Sequence, residues 1–472
     1  MANAQTIAHG SLPGGVRADA AAVQPAAAGA PVGPLEYAFL YISGLFFGSK
    51  LGAVLLMGPS ADAGISGSVE SPLLQLVWLG IYAALGGLAA LRWRTSVFLM
   101  ARSPLIFLLI ALAILSFQWS IEPSTTLRRG IAVLGSSAYA VYLVGRLPYR
   151  DIITLLAAIF GGFAVLSVVV AIALPQVGVM QADTAWPGYW QGLKYHKNGL
   201  GRMAAVGAVT LFLAAYAETG ARRLTFFSLM ALSVALVLVS RSTTALLVLA
   251  STSALGLFAA IYQRSIAVSL ITIGAGVFSV ITLSIAILTS GGLNGFFQIF
   301  GKDATLTGRL PMWDLVYEAI QKNYWLGWGY SSFWREDQAH VRRIAEVLHY
   351  TPEYSHNGLM ELWLDVGLIG VILFVVVWLI TLAKSVVFAR DCRNTILSLF
   401  PLLYVYSFGI SNLTEATILA RNSLEFILFV FCALFLNAYR PAQRGGASPG
   451  LFGAARNAWA LHRRAQFARA PR

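Results

Sequence analysis

The chain has 472 residues, 58% of them hydrophobic and only 11% charged, with a mean hydropathy of +0.72. Soluble domains carry roughly a quarter charged residues, so this depletion excludes an ordinary soluble protein. The net charge of +13 collects in segments beside apolar runs, as topogenic charge does, and points to no nucleic acid.

Residues 1–34 are rich in Ala, Gly and Pro and are expected to be a disordered cytoplasmic tail. They are not expected to be a signal peptide, because no apolar core follows the lone Arg17. Beyond them the apolar residues gather in runs of about twenty, enough for a helix to cross a hydrocarbon layer. The runs lack period-2 alternation, which rules out barrel strands and leaves helices. Spans are predicted at 36–57, 72–91, 97–117, 130–145, 151–174, 198–217, 224–239, 243–262, 265–289, 358–382, 395–411 and 421–439. Arg102 and Pro104 interrupt the third, and Lys50 lies within the first. The predicted fold class is therefore all-α: a polytopic membrane protein of about 12 transmembrane helices over residues 35–440. The sequence carries no heptad, solenoid or convincing inverted repeat.

Nineteen of the 33 Lys and Arg residues fall on one side of this arrangement, which the positive-inside rule makes cytoplasmic. Both termini are then cytoplasmic, including the basic tail 441–472, whose apolar interruptions suit a surface close to anionic lipid. Cys392 and Cys432 fall on the cytoplasmic side and at mid-membrane, so no disulfide is expected.

The opposite, periplasmic side holds one long loop, 290–357, of 68 residues. Eight aromatic residues between Trp313 and Trp334 predict that it folds, and "GRLPMWDLVYEAIQ" has a helical apolar pattern with Pro311 near its start. The same side carries cations that break the positive-inside rule: Arg128, Arg129, Lys194, Lys197, Arg202, Arg241, Arg309 and Arg421. Any one could snorkel to a lipid phosphate, but so many on one face point to a shared anionic ligand. In "EYSHNGLMELWLDVGLIG" at 353–370, Asn357, Glu361 and Asp365 recur every four residues and line one helix face. His356 stands at the mouth of that helix, between acids and facing cations, which makes it the candidate general base, with Glu361 as the acid that orients it. Glu415 and His196 are the next candidates.

At these residues the chain resembles the O-antigen ligase and Wzy-type polymerase superfamily, and within it the exopolysaccharide polymerase branch. "SFQWSIEPSTTLRRG" at 116–130 is similar to the family's Ser-x-x-Trp-Ser stretch followed by arginine. "GLKYHKNGLGR" at 192–202 resembles the His-Lys-Asn signature of the exopolysaccharide branch, and "SRSTTALL" at 240–247 a Ser-Arg segment at the outer end of a core helix. "TGRLPMW" and "LGWGYSSF" resemble arginine-tryptophan and Gly-x-Gly elements of the large loop. "HNGLMELWLDVGLIG" resembles the His-Asn helix start, and "SNLTEATILARN" at 411–422 the acidic segment before the last span. One departure is Tyr324-Trp325-Leu326, where the family often has a proline before Gly-x-Gly.

The resemblance implies glycosyl transfer at the outer leaflet of the inner membrane, without metal or cofactor. It implies an undecaprenyl-pyrophosphate-linked glycan as donor and either another lipid-linked glycan or the lipid A core as acceptor. Membrane lipids and a chain-length regulator are the further expected partners. On that reading Arg241 and Arg309 bind the donor pyrophosphate, with Arg128, Lys197 and Arg202 contributing. Asn357, Asp365, Glu415, Arg421 and His196 are expected to support them. Polymerase, ligase and a polysaccharide or lipid transporter remain the alternatives; a transporter should place its polar groups near the midplane.

Overall fold

Prolines mark where many helices begin, because their fixed φ and missing N–H suit the first helical turn. A computed structural model describes residues 32–57, 71–182, 184, 186–262, 309–335, 337–350, 352–393 and 395–439. Its helices are α1 (Pro34–Gly48), α2 (Leu51–Met57), α3 (Pro72–Leu91), α4 (Trp93–Arg102), α5 (Pro104–Leu115), α6 (Pro123–Arg146) and α7 (Tyr149–Ala173). They continue as α8 (Lys197–Ala217), α9 (Gly220–Val239), α10 (Thr243–Tyr262), α11 (Arg309–Lys322), α12 (Ala339–Leu348), α13 (Gly358–Asp391), α14 (Phe400–Ser411) and α15 (Leu424–Ala438). Proline occupies the first turn of α1, α3, α5, α6 and α14. Among the described residues there is no strand beyond a single bridge between Val179 and Trp190.

Six of these helices are long and apolar enough to cross a membrane, or seven if the bent pair α4–α5 counts as one span. The chain is thus an all-helical, multi-pass membrane protein. The predicted span 265–289, the loop start 290–308, the tail 441–472 and all but the last three residues of the tail 1–34 lie outside the described residues.

Three predicted spans are interrupted, each for a local physical reason. The first breaks at Ser49 and Lys50, where the buried Lys50 ammonium donates to Val177 O at 2.9 Å and its backbone N–H to Leu193 O at 2.8 Å. The buried cation is tolerated because a carbonyl outside the helix accepts from it and the Tyr195 ring lies 5.4 Å away. The third bends by 92° at Ser103, where Pro104 cannot continue the hydrogen-bond ladder. The tenth, α13, runs on to Asp391 and breaks at Val366 and Gly367, whose φ is +71°.

The break in α13 is filled by the loop 324–330. Trp328 N donates to Leu364 O at 2.7 Å, Gly329 N to Asp365 O at 3.1 Å, and Leu368 N to Tyr324 O at 3.0 Å. Irregular backbone at membrane depth requires such protein partners. The grip is tight: a Cβ on Gly367 would lie 2.0 Å from Trp325 O. Gly367→Ala should therefore lower stability by about 3 kcal/mol, high for a single substitution. Thermal unfolding in detergent checks this, with Gly80→Ala, which meets nothing within 4 Å, as the neutral control.

The core forms around α15, whose residues Phe426 to Leu436 are all buried. It is enclosed by α6, α13, α14 and α4, and Phe408 of α14 stacks on its Phe429 at 4.9 Å. Its burial inside protein explains how a helix of only 15 residues sits among longer spans. A second, smaller core joins α11 and α12 to the start of α13 through Met312, Val316, Ile320, Phe333, Ile344 and Leu364. The aromatic loop therefore folds as its composition predicts, and α11 covers the helical pattern predicted at 308–321 from its second residue onward.

Candidate functional site

Helices α8, α11 and α13 begin at the same end of the bundle where α9 and α14 finish, and polar residues from all five meet there. Glu415, in the segment after α14, is their centre, with its side chain 3% exposed. Arg202, in the second turn of α8, places Nη1 2.9 Å from Glu415 Oε2, and Arg309, the first residue of α11, places Nη2 3.5 Å from Oε1. Asn198 Nδ2 donates to Oε1 and the Tyr354 hydroxyl to Oε2, each at 3.0 Å. Arg309 also donates to Thr414 O at 2.7 Å, which fixes its fork against the segment that carries Glu415. Burial works against ionisation of Glu415, but Arg202, His356 and Arg309 outweigh it and hold the carboxyl well below its ordinary value. Burial and the adjacent Glu415 hold the Tyr354 phenol well above its own.

His356 faces this carboxylate. Its Nδ1 lies 3.9 Å from Glu415 Oε2, beyond hydrogen-bond distance, and is buried with no hydrogen-bond partner among the described residues. The ring packs on Tyr354 at 4.2 Å between centroids. Its backbone has φ +52°, a left-handed conformation unusual outside glycine. Arg241, Leu419 and Asn422 share that conformation, so strained residues recur in the segments around the site. Asn357 caps α13 by accepting from Leu359 N at 3.0 Å and Met360 N at 3.2 Å, which starts the helix immediately after the histidine.

His196 plays the equivalent part for α8, its Nδ1 accepting from Asn198 N at 3.2 Å. Burial chiefly, with Lys197, His356 and Arg202 adding to it against the pull of Glu415, brings its pKa down to about 4. A neutral imidazole committed to a helix cap is a weaker base candidate than His356. Next to it the Lys197 ammonium lies over Trp186 at 5.2 Å and Tyr189 at 4.7 Å. The exposed Arg241 guanidinium lies 5.1 Å from the same Tyr189 ring, and Lys197 Nζ donates to Arg241 O at 3.4 Å. Two arginines thus pair with the buried Glu415, and two further cations, Lys197 and Arg241, share the Tyr189 ring, Lys197 being next in sequence to Asn198. This concentration of positive charge suits an anionic ligand.

Glu361 and Asp365 belong to a second polar group. Glu361, expected to orient His356, accepts from Trp334 Nε1 at 2.8 Å and from Ser355 N at 2.7 Å. The acid that faces His356 is Glu415. Asp365 accepts from Ser331 N at 2.7 Å beside the break in α13, and Arg129 donates to Ser331 O at 2.6 Å. Arg128 is exposed on α6 next to Arg129, and Arg421 follows Leu419, whose carbonyl accepts the Tyr330 hydroxyl at 2.5 Å.

Sequence reasoning missed Tyr354 and Asn198 as partners of Glu415, and Trp186 and Tyr189 as the rings beneath the cations. The first two lie within segments singled out for their histidines, but their pairing is long-range and carries no sequence signal. Among the described residues no three His, Cys, Asp or Glu side chains group as metal ligands.

Two comparisons bear on this geometry. Residues 228–375, which hold Arg241, Arg309, His356 and Glu361, match the family described as O-antigen ligase. The chain is also 28% identical over 320 residues to the exopolysaccharide production protein ExoQ of Rhizobium meliloti (strain 1021), covering 64% of this chain and 67% of that protein.

Proposed function

From its place in the O-antigen ligase and Wzy-type polymerase superfamily, near the exopolysaccharide branch, we propose that this membrane protein polymerises undecaprenyl-pyrophosphate-linked repeat units at the periplasmic face of the inner membrane. The observation that carries the reading is the buried Nδ1 of His356, without a hydrogen-bond partner among the described residues, facing the ionised Glu415 that Arg202 and Arg309 hold. His356 takes the proton of the acceptor hydroxyl as its oxygen attacks the anomeric carbon of the donor. The bond from that carbon to the pyrophosphate breaks, and its electron pair leaves with the polyprenyl pyrophosphate. Attack opposite the leaving group inverts the anomeric centre. Glu415 stabilises the imidazolium that forms, and the arginines neutralise the charge developing on the leaving group. Neither role needs a metal or a cofactor.

Arg241 is the exposed cation of the group, with Lys197 beside it over Tyr189, and we assign these two to the pyrophosphate, while Arg202 and Arg309 hold Glu415 and add their field. Arg241→Lys keeps the charge but loses the bidentate fork, and elongation should fall about tenfold. Full activity in Arg241→Ala would reduce this arginine to a lipid anchor.

The gathering of polar groups at one end of the bundle favours transfer over transport. The exopolysaccharide relative favours a polymerase over a ligase that delivers glycan to the lipid A core, the reading that the family description supports in its turn. A chain-length regulator fits the polymerase reading as a partner.

The proposal requires about twelve spans over residues 35–440, flanked by cytoplasmic tails at 1–34 and 441–472, with 290–357 in the periplasm. Reporter fusions within 337–350 should be active only with periplasmic reporters. A cytoplasmic result there would overturn the orientation and the donor with it.

A further inference from the structure

The left-handed backbone of His356 is held by its neighbours rather than by its own side chain. Ser355, wholly buried, has both of its peptide groups engaged from outside the loop. Its N–H donates to Glu361 Oε2 at 2.7 Å, and its carbonyl accepts from Trp313 Nε1 of α11 at 2.8 Å. Its hydroxyl spans the histidine to Asn357 O at 2.9 Å. On the other side Gly358 N donates to Asn412 O at 2.7 Å, and a Cβ on Gly358 would lie 2.3 Å from the Asn412 side chain. The peptide plane that joins Ser355 to His356 is therefore fixed by α11, and the planes one residue further out on either side by α13 and the segment after α14. A non-glycine residue at φ +52° persists only where its surroundings over-determine it.

We propose that Glu361 is a positioning residue for His356, acting through the Ser355 peptide and not by contact with the imidazole. It couples the first turn of α13, and through Trp334 the folded large loop, to the direction in which the imidazole points. The inference rests on His356 as the base. A shift of about 1 Å in a reacting group costs on the order of 10²-fold in rate, so a clamp on the backbone beside the base is worth that much.

The test uses the full-length protein in lipid with a lipid-linked repeat unit, comparing His356→Ala, Glu361→Ala, Glu361→Gln, Trp334→Phe and Glu361→Gln/Trp334→Phe. A glutamine can keep its oxygen on Ser355 N only by turning its amide toward the Trp334 N–H, where two donors meet. Glu361→Ala should lose about 10²-fold in kcat with KM for the donor within about twofold, and Glu361→Gln about tenfold. Trp334→Phe leaves the Ser355 bond intact and should keep kcat within about threefold, and the double variant should recover toward it.

The groups against His356 are Glu415, Tyr354 and His196, with Arg202 and Arg309 on the carboxylate oxygens of Glu415, so the pH at which the acid limb of kcat falls should move in Glu415→Gln and stay in place in Glu361→Gln. If Glu361→Gln moves the limb, or the double variant is no better than Glu361→Gln, the through-backbone role is overturned. Wild-type kcat in Glu361→Gln, with His356→Ala inactive, refutes the clamp while leaving the base intact. An active His356→Ala refutes both. Should Glu361→Ala fail to fold, the glutamine pair alone decides.

Discussion

His356→Ala is expected to abolish polymer while leaving protein level and membrane insertion unchanged. Removing a general base costs about 10²–10⁴-fold in rate, the largest catalytic effect expected of a substitution here. The structural cost should be small, because the imidazole Nδ1 has no hydrogen-bond partner to lose and the side chain is 24% exposed. The residue's unusual backbone is fixed by Ser355, Asn357 and Gly358, which the substitution leaves in place. Elongation of a lipid-linked repeat unit by wild type and variant, normalised to folded protein, checks this. Near wild-type elongation would move the base elsewhere. Loss accompanied by a collapse in thermal stability would make His356 a structural residue.

Glu415→Ala should be damaging for a different reason. It strands two guanidiniums whose side chains are only 10% and 18% exposed, and breaking a buried pair in this way costs about 3–5 kcal/mol. Glu415→Gln keeps the volume and one acceptor oxygen but removes the charge opposite His356. The buried guanidiniums lose their counter-charge here too, so the variant should be destabilised, though less than Glu415→Ala, and lose about 10²-fold in rate per folded protein. Because Glu415 is held below its ordinary value of 4.5, its stabilising contribution is complete above that value and disappears only as pH falls through the lowered one. Between pH 6 and 8 it therefore does not titrate, and a rate limb in that window belongs to another group. Melting in detergent together with elongation separates the two variants. Comparable rates in wild type and Glu415→Gln would show that the carboxylate serves packing alone.

Much of the fold was legible because continuous apolar runs such as 72–91, 151–174 and 243–262 can satisfy their backbones only as helices in lipid. Their ends follow from proline and charge. The breaks were less legible. Pro104 announced the bend at Ser103, but the break at Gly367 is an ordinary glycine in an apolar run until Trp325, Trp328 and Gly329 arrive from another segment. The site shows the same division. Histidines, arginines and the acidic segment were readable as chemistry out of place at a membrane surface. Their pairing was not: Asn198 and Glu415 are 217 residues apart, and nothing local distinguishes Glu415 from Glu361 as the acid opposite His356. Spacing placed Glu361 on the right helix face, but the cap at Asn357 and the turn at His356 direct the imidazole toward Glu415 instead.

The central claim is transfer of a glycan from polyprenyl pyrophosphate to a second lipid-linked glycan, with His356 as base. The most direct measurement gives the purified protein in lipid an undecaprenyl-pyrophosphate-linked repeat unit and follows product length over time. The account predicts a growing ladder of multiples from wild type and single repeat units alone from His356→Ala. Transfer by wild type only to an added lipid A core, or equal ladders from wild type and His356→Ala, would contradict it.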